Sequence, residues 1–259
     1  MLFTLILSSF VYAQPKVVET RHFHFTVEAP TSATDAFISQ ADEVFTYVSE
    51  RMGVPYYKKI EVAIRLMSSE ACPVRGMVTV ETIDDTEVES MSIIVFTDMT
   101  TKLEQLLGVL AHELGHLLHF DGFGEPGKSS GLAEGLASWA AGNYYLTWQR
   151  IPSFYIGVKH YLDEERYLPL KNERHLQGIY PEQGSAVDCL NRRDILYTEW
   201  ASFVTYLIDT YSVDRFKRLL ASEEVNSRDK STRPNFEGVY GESFEVLIKR
   251  WLEQVRASG

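Results

Sequence analysis

The sequence predicts an α+β protein in which a mixed β-sheet lobe with one helix precedes a mainly helical lobe. The chain has 259 residues, of which 45% are hydrophobic and 24% charged, as in globular proteins that bury a core. Before residue 100, apolar and polar residues alternate in several segments, whereas from residue 103 apolar residues recur at helical spacing. We therefore expect residues 14–100 to form the sheet lobe and residues 101–259 the helical lobe, as one unit with a cleft between the lobes.

Strands and one helix in the first lobe are predicted by the period of its apolar residues. The strand candidates are residues 21–28, 60–67, 76–80 and 92–97. Residues 34–52 change to helical spacing, and Gly53 and Pro55 predict the end of that helix. The first lobe is thus predicted to be a small mixed sheet with one helix across it.

The second lobe has helical periodicity in almost every segment. The predicted helices are residues 103–120, about 132–148, 192–210, 213–223 and 243–256. Strands that come first and helices that follow indicate an α+β architecture with two lobes.

The charge balance argues against nucleic acid as a partner. The chain has 25 Lys and Arg residues and 36 Asp and Glu residues, which gives a formal net charge of −11. An acidic protein repels phosphate backbones and anionic lipid surfaces. After the first thirteen residues, no apolar run approaches the length of a membrane span. The sequence leaves the oligomeric state open.

The first thirteen residues are predicted to be a cleavable signal peptide. They are apolar and uncharged, and they end in Val-Tyr-Ala, which suits a cleavage site with small residues. A buried N-terminal strand or helix is the alternative. The first interpretation predicts a secreted or periplasmic mature protein that begins near Gln14. Cys72 and Cys189 permit at most one disulfide, and the sequence leaves open whether it forms.

Residues 112–116 read His-Glu-Leu-Gly-His and match the H-E-x-x-H pattern. In a helix, His112 and His116 lie about 40° and about 6 Å apart on one face, close enough for both imidazoles to bind one zinc ion. Leucines between residues 103 and 118 fall on the opposite side, which a chance match would not explain. Glu113 lies beside His112 and is placed to take a proton from metal-activated water.

A catalytic zinc ion needs a third protein ligand, for which Glu134 is the candidate. It is the only acidic residue in residues 131–139, a segment of otherwise small and mainly apolar residues. A lone carboxylate in such a helix is unfavourable unless it is paired or bound to a metal. An ion pair with a lysine or arginine is the alternative role.

The H-E-x-x-H motif, followed by Glu134 within Gly-Leu-Ala-Glu-Gly-Leu-Ala, resembles the gluzincin metallopeptidases. The similarity is closest to their peptidase-MA-like branch, and segments between residues 196 and 220 are similar to the C-terminal helices of that family. The resemblance implies a zincin-like fold, a Zn²⁺ cofactor held by His112, His116 and Glu134, and hydrolysis of peptide or protein substrates.

The resemblance also implies a tyrosine that supports the oxyanion, and Tyr197 matches its place. Tyr144, Tyr145 and Tyr180 are rival candidates, and a buried structural tyrosine is the alternative role for Tyr197. By the same resemblance, the strand at residues 92–97 would be the sheet edge that pairs with an extended substrate.

Two features depart from the family. Ser138, four residues after Glu134, stands where members of the wider group often have an acid that orients a ligand histidine, so the partner of that histidine is open. The signature Gly-Ala-Met-Glu-Asn of gluzincin aminopeptidases is absent, and we therefore expect an endopeptidase.

The sequence also offers two alternative functions and three further histidines. Residues 122–129 match the phosphate-loop pattern G-x-x-x-x-G-K-S, but a phosphate loop follows a strand, and these residues follow a predicted helix. A non-catalytic binding module with the zincin fold is the second alternative. His119 is expected to be a hydrogen-bonded residue of the cleft wall, and His22 and His24 are weak metal-ligand candidates.

Overall fold

The computed structural model describes residues 15–68, 72–83, 87–123, 130–170, 186–225 and 232–259. The described elements of the first lobe are β1 Lys16–Glu19, β2 Phe23–Val27, α1 Thr34–Met52, β3 Ile60–Leu66, β4 Gly76–Ile83 and β5 Glu87–Thr97. The strand order is β1-β2-β3-β5-β4, in which β2, β3 and β5 are parallel and the two outer strands are antiparallel to their neighbours. The predicted signal peptide, residues 1–13, lies outside the described residues.

Helix α1 packs on the sheet because its apolar residues recur at helical spacing. Phe37, Val44 and Val48 are fully buried, and the ring of Phe37 contacts that of Phe25 in β2 edge to face at 5.9 Å. Gly53 ends the helix in the left-handed conformation, with φ 65°, which glycine adopts without steric cost. The predicted helix and its end at Gly53 are confirmed.

The second lobe is mainly helical. Its described elements are α2 Leu103–Gly122, α3 Ser130–Gln149, α4 Phe154–Asp163, α5 Ala186–Tyr211, α6 Val213–Leu220, β6 Glu223–Val225, β7 Thr232–Pro234, α7 Phe236–Tyr240 and α8 Phe244–Ala257. The predicted α+β class, with the sheet first and the helices afterwards, is confirmed. Among the described helices, none combines the length and the hydropathy that a membrane span requires.

Short elements account for most differences from the prediction. The pattern misses β1, whose side chains are mostly exposed, and it misses α4, α7 and the hairpin of β6 and β7. The helix predicted at residues 213–223 ends earlier, at Leu220, because Glu223 begins β6. A strand of three residues is too short to show a period.

Strand β4, and not β5, forms the sheet edge beyond β3. Strand β5 is hydrogen-bonded to β3 on one side and to β4 on the other. The expectation that residues 92–97 form the substrate-pairing edge is therefore wrong. The edge belongs to β4 because this strand folds back antiparallel on β5.

Helix α2 joins the two lobes. It packs against α1, β4 and β5 on the sheet side and against α3 on the other, and α3 packs against α5. The predicted apolar side of α2 is buried at Leu106, Leu107, Leu110, Leu114, Leu117 and Leu118. The succession of α2, α3 and α5 brings together side chains that are far apart in the sequence.

A disulfide joins Cys72, just before β4, to Cys189 near the start of α5, with 5.7 Å between the Cα atoms. It spans 117 residues of sequence. Two polar contacts connect the same segments, namely Arg75 with Asp194 at 2.6 Å and Arg193 with the carbonyl of Pro73 at 2.9 Å. The start of the edge strand is thus fixed to α5.

Candidate metal centre

Three side chains converge where α2 contacts α3. The Nε2 atoms of His112 and His116 lie 3.1 Å apart, and Oε2 of Glu134 lies 3.0 Å from the first and 3.3 Å from the second. Within the part of the chain that the structure describes, these residues form the one group of histidine, cysteine or acidic side chains that could hold a metal ion. The structure thus brings the three predicted metal ligands together.

Helix geometry explains why the two imidazoles meet. His112 and His116 are four residues apart, so one turn of α2 separates them on the same face. Their rings are nearly perpendicular, with 4.7 Å between centroids, and both side chains are largely buried. Glu134 approaches them from the first turns of α3.

Two glycines allow α3 to lie close to both of its neighbours. A β-carbon at Gly115 of α2 would lie 2.8 Å from the Cα atom of Ala137 in α3. One at Gly135 of α3 would lie 2.8 Å from the backbone of Trp200 in α5. Side chains cannot make contacts this close, so these glycines permit the packing that places Glu134 between α2 and α5.

Ser138 holds the first histidine in position. It lies one turn after Glu134 on α3, is fully buried, and has its Oγ 3.2 Å from Nδ1 of His112. In the tautomer that leaves Nε2 free to bind a metal, the Nδ1–H group donates to this hydroxyl. The partner that the sequence left open is therefore the serine itself.

The carboxylate and the second histidine are coupled electrostatically. Burial opposes charge on His116, but the charge and hydrogen bond of Glu134 outweigh it and raise the pKa of His116 to about 9. Burial likewise opposes ionisation of Glu134, yet the charge of His116 and hydrogen bonds from both histidines hold its pKa well below its ordinary value. Glu134 is therefore ionised at neutral pH, which is the state in which a carboxylate can bind a metal ion.

Glu113 is buried beside these three side chains but is not one of the group. A β-carbon at Gly76, the first residue of β4, would lie 2.6 Å from its Oε1, so the carboxylate packs against the start of the edge strand. Burial raises the pKa of Glu113, and the charges of His112 and His116 oppose the rise. A buried acid with a raised pKa next to a metal position is suited to accept and return a proton.

Tyr197 of α5 lies against the first histidine. Its ring stacks on that of His112, with centroids 5.5 Å apart and planes within 7° of parallel. Burial raises the pKa of Tyr197 well above its ordinary value, and the negative charge of Glu134 adds to the rise. The hydroxyl therefore stays protonated and can donate a hydrogen bond, while its catalytic role remains a prediction.

The rival tyrosines that the structure describes have other partners. The hydroxyl of Tyr145 is buried and lies 3.0 Å from Oγ1 of Thr198. The ring of Tyr144 packs edge to face on Tyr47 at 5.3 Å. Tyr180 lies outside the described residues.

The three other histidines that the sequence singles out, His22, His24 and His119, do not join the group. His22 stacks on a phenylalanine of α1, and His24 lies 3.0 Å from a carboxylate oxygen of Glu61. His119 is buried, and burial lowers its pKa to about 4. Its Nε2 has no hydrogen-bond partner among the described residues, so the hydrogen bond expected for this cleft-wall histidine is not found at that atom.

The segment that matches the phosphate-loop pattern follows a helix. Helix α2 extends to Gly122, the first residue of that pattern. Residues 124–129 lie outside the described residues. Because a phosphate loop leaves a strand, the structure before residue 122 does not fit a nucleotide site of that kind.

Arg193, whose charge acts on Glu113 and Tyr197, lies near the site but is not among the residues that the sequence predicts. It precedes Tyr197 by one turn of α5 and is 7% exposed. Its spacing of four residues from Tyr197 is the one signal that could have indicated it. An arginine in a helix is otherwise expected on the solvent side.

Protein-family models and curated proteins, when compared with the chain, give no match. The gluzincin resemblance therefore rests on the residues of the motif.

Proposed function

We propose that the chain is a zinc-dependent peptidase in which His112, His116 and Glu134 hold the metal and Glu113 is the general base. One observation carries the proposal. Two imidazole nitrogens and one carboxylate oxygen lie 3.0 to 3.3 Å from one another, with a second, buried carboxylate beside them.

The donor set and its dimensions fit zinc. Catalytic zinc sites take three ligands from histidine and acidic residues and leave one position open. With metal–ligand distances of about 2.0–2.1 Å, two ligands of a tetrahedral zinc ion lie about 3.3 Å apart. The distances among the three ligand atoms here are close to that value. Magnesium and calcium prefer oxygen ligands, so two imidazoles argue against them.

The roles of the side chains follow from their positions. Bound zinc supplies a Lewis acid that polarises a carbonyl group and lowers the pKa of water. Glu113 takes the proton of the attacking water and returns it to the leaving amine. The hydroxyl of Tyr197 donates to the oxyanion of the tetrahedral intermediate. Ser138 keeps His112 in the tautomer that binds the metal.

Strand β4 is the surface that we propose for substrate binding. It is an edge strand, and Gly76 at its start contacts Glu113. An extended peptide that pairs with this edge would present its backbone to the general base. We propose peptide or protein substrates and, with the predicted signal peptide, a secreted or periplasmic location. The missing aminopeptidase signature favours internal cleavage.

The experiment is mass spectrometry of a peptide library incubated with zinc-loaded protein, with and without chelator. We expect cleavage that stops with chelator and returns with zinc. Glu113→Gln should fold and keep zinc but lose most turnover. The control Glu104→Gln, near the start of the same helix, should keep its turnover. Full activity of a folded Glu113→Gln protein would contradict the mechanism. Binding of peptides without turnover by the native protein would instead indicate the non-catalytic module.

A further inference from the structure

Helix α5 carries a buried guanidinium group with an unused donor. Nη1 of Arg193 donates to the carbonyl oxygen of Pro73 at 2.9 Å. Nη2 is also buried, yet it has no hydrogen-bond partner among the described residues. The side chain is more than nine-tenths buried. A buried charged donor without a partner is strongly unfavourable, so this donor is available to an acceptor that enters from outside the chain.

The acidic side chains that the structure describes near Arg193 do not fill this position. Asp194 pairs with Arg75 through both carboxylate oxygens, at 2.6 and 3.3 Å. Glu134 contacts the two histidines of the metal group. Glu113 is close enough for the positive charge of Arg193 to act on it, but Nη2 donates to neither of its oxygens.

The unpaired donor of Arg193 lies near Glu113 and Tyr197, the residues to which we assign catalytic roles. The charge of Arg193 acts on both Glu113 and Tyr197. Its anchor, Pro73, lies three residues before Gly76, which packs against Glu113. The guanidinium is therefore anchored to the segment just before the edge strand, and its residue lies one turn of α5 from the tyrosine that we assign to the oxyanion.

We propose that Arg193 binds a carboxylate of the substrate, one or two residues from the scissile bond, and so determines specificity. The proposal rests on the peptidase function proposed above. Arginine binds carboxylates through charge-assisted hydrogen bonds, which are stronger and more specific than neutral ones. The carboxylate could be the C-terminus of the substrate or the side chain of an aspartate or glutamate. The first source directs cleavage to the end of a peptide, and the second allows internal cleavage next to an acidic residue.

Three N-acetylated peptide pools of equal length separate these sources. One has free C-termini and no acidic residue, one has amidated C-termini and no acidic residue, and one has amidated C-termini and one glutamate at varied positions. Initial cleavage rates are measured by mass spectrometry for the native protein, Arg193→Gln, Arg193→Lys and the control Arg192→Gln. We expect the native protein and the control to prefer one carboxylate pool by at least about tenfold over the neutral pool.

The ratio between pools is the decisive quantity, because it does not depend on the fraction of folded protein. Arg193→Gln should reduce the ratio to less than about twofold, and Arg193→Lys, which keeps the charge but loses the second nitrogen, should lie between. An equal ratio in Arg193→Gln and the native protein would overturn the proposal. The proposal would also be overturned if Arg193→Gln changed only the pH profile of turnover and left the ratio between pools unchanged. Arg193 would then act only on Glu113.

Binding distinguishes failure of this proposal from failure of the peptidase function. The zinc-loaded Glu113→Gln protein is dialysed against each pool, with and without the additional Arg193→Gln change. If a carboxylate pool binds more tightly than the neutral pool, and if Arg193→Gln removes this difference, the carboxylate site is supported even if the native protein cleaves no pool. Equal binding of all pools would overturn the site, whatever the native protein cleaves.

Discussion

The Oγ atom of Ser138 lies 3.2 Å from Nδ1 of His112, and both side chains are buried. A hydroxyl orients the imidazole as a carboxylate would, but it adds no negative charge next to the ring. Without that charge the imidazole is a weaker donor to a metal ion. The contact therefore supplies orientation and no additional basicity.

Removal of this hydroxyl should weaken zinc binding. We expect Ser138→Ala to lower zinc affinity by about tenfold, at the lower end of the range for such partners, because the tautomer of His112 is no longer fixed. Competition with a chromophoric chelator measures the affinity. Ser39→Ala, at an exposed position of α1, is the control. Unchanged affinity in Ser138→Ala would show that the hydroxyl does not orient the ligand.

A side chain at Gly76 should impair turnover without loss of zinc. The β-carbon of alanine would lie 2.6 Å from Oε1 of Glu113 and equally close to a methyl group of Val109, so the proposed general base must move. A displaced base should reduce kcat by about 10- to 100-fold. The proposed metal ligands lie on α2 and α3, and zinc content should stay at the native value. Native kcat in Gly76→Ala would contradict the assigned contact between β4 and the base.

Local periodicity predicts much of this molecule. The spacing of His112 and His116 and the apolar side of α2 depend on one helix, so the sequence is sufficient to predict them. The end of α1 at Gly53 depends on the backbone preference of one residue. Glu134 could be identified because a carboxylate among small and apolar residues needs a partner.

Features that depend on strand order and helix packing could not be predicted in this way. The alternation of residues 92–97 indicates a strand but not its neighbours, and the resemblance that places the edge there does not reveal that β4 lies outside β5. Ser138 looked like the loss of a partner until the packing of α3 placed its hydroxyl at His112. The burial of Arg193 likewise depends on the contact of α5 with Pro73.

The buried acid Glu199 should make the protein less stable as the pH rises. It is fully buried on α5, and its Oε1 accepts a hydrogen bond from the backbone N–H of Leu168 at 2.8 Å. Burial raises its pKa from 4.5 to about 9. Between these values the folded chain binds one more proton than the unfolded chain. The free energy of unfolding therefore falls by up to about 1.4 kcal/mol per pH unit from this group, and the penalty is absent below pH 4.5.

Glu199→Gln tests this dependence, because glutamine keeps the acceptor for Leu168 and does not ionise. The variant should be more stable than the native protein at pH 8, by a few kcal/mol, and the difference should shrink towards pH 5. Urea denaturation at several pH values measures it, with Glu253→Gln on the exposed face of α8 as the control. A difference that does not change with pH would contradict the assignment.

The disulfide between Cys72 and Cys189 should affect turnover more than zinc binding. It fixes the start of β4, which contacts Glu113, to the helix that carries Tyr197 and Arg193. The proposed zinc ligands come from α2 and α3, which the disulfide does not join. When both cysteines are changed to alanine, we expect the free energy of unfolding to fall by about 2–4 kcal/mol.

The same double variant should lose most of its turnover and retain zinc, since the proposed general base and the proposed oxyanion donor are no longer held at a fixed separation. Urea denaturation, kcat and zinc content are measured with and without reductant. Reductant should bring the native protein to the stability of the double variant and leave the variant unchanged, which controls for effects on other groups. Parallel loss of zinc and turnover would show instead that the disulfide supports the metal centre, because the ligands on α2 and α3 would then depend on the position of α5.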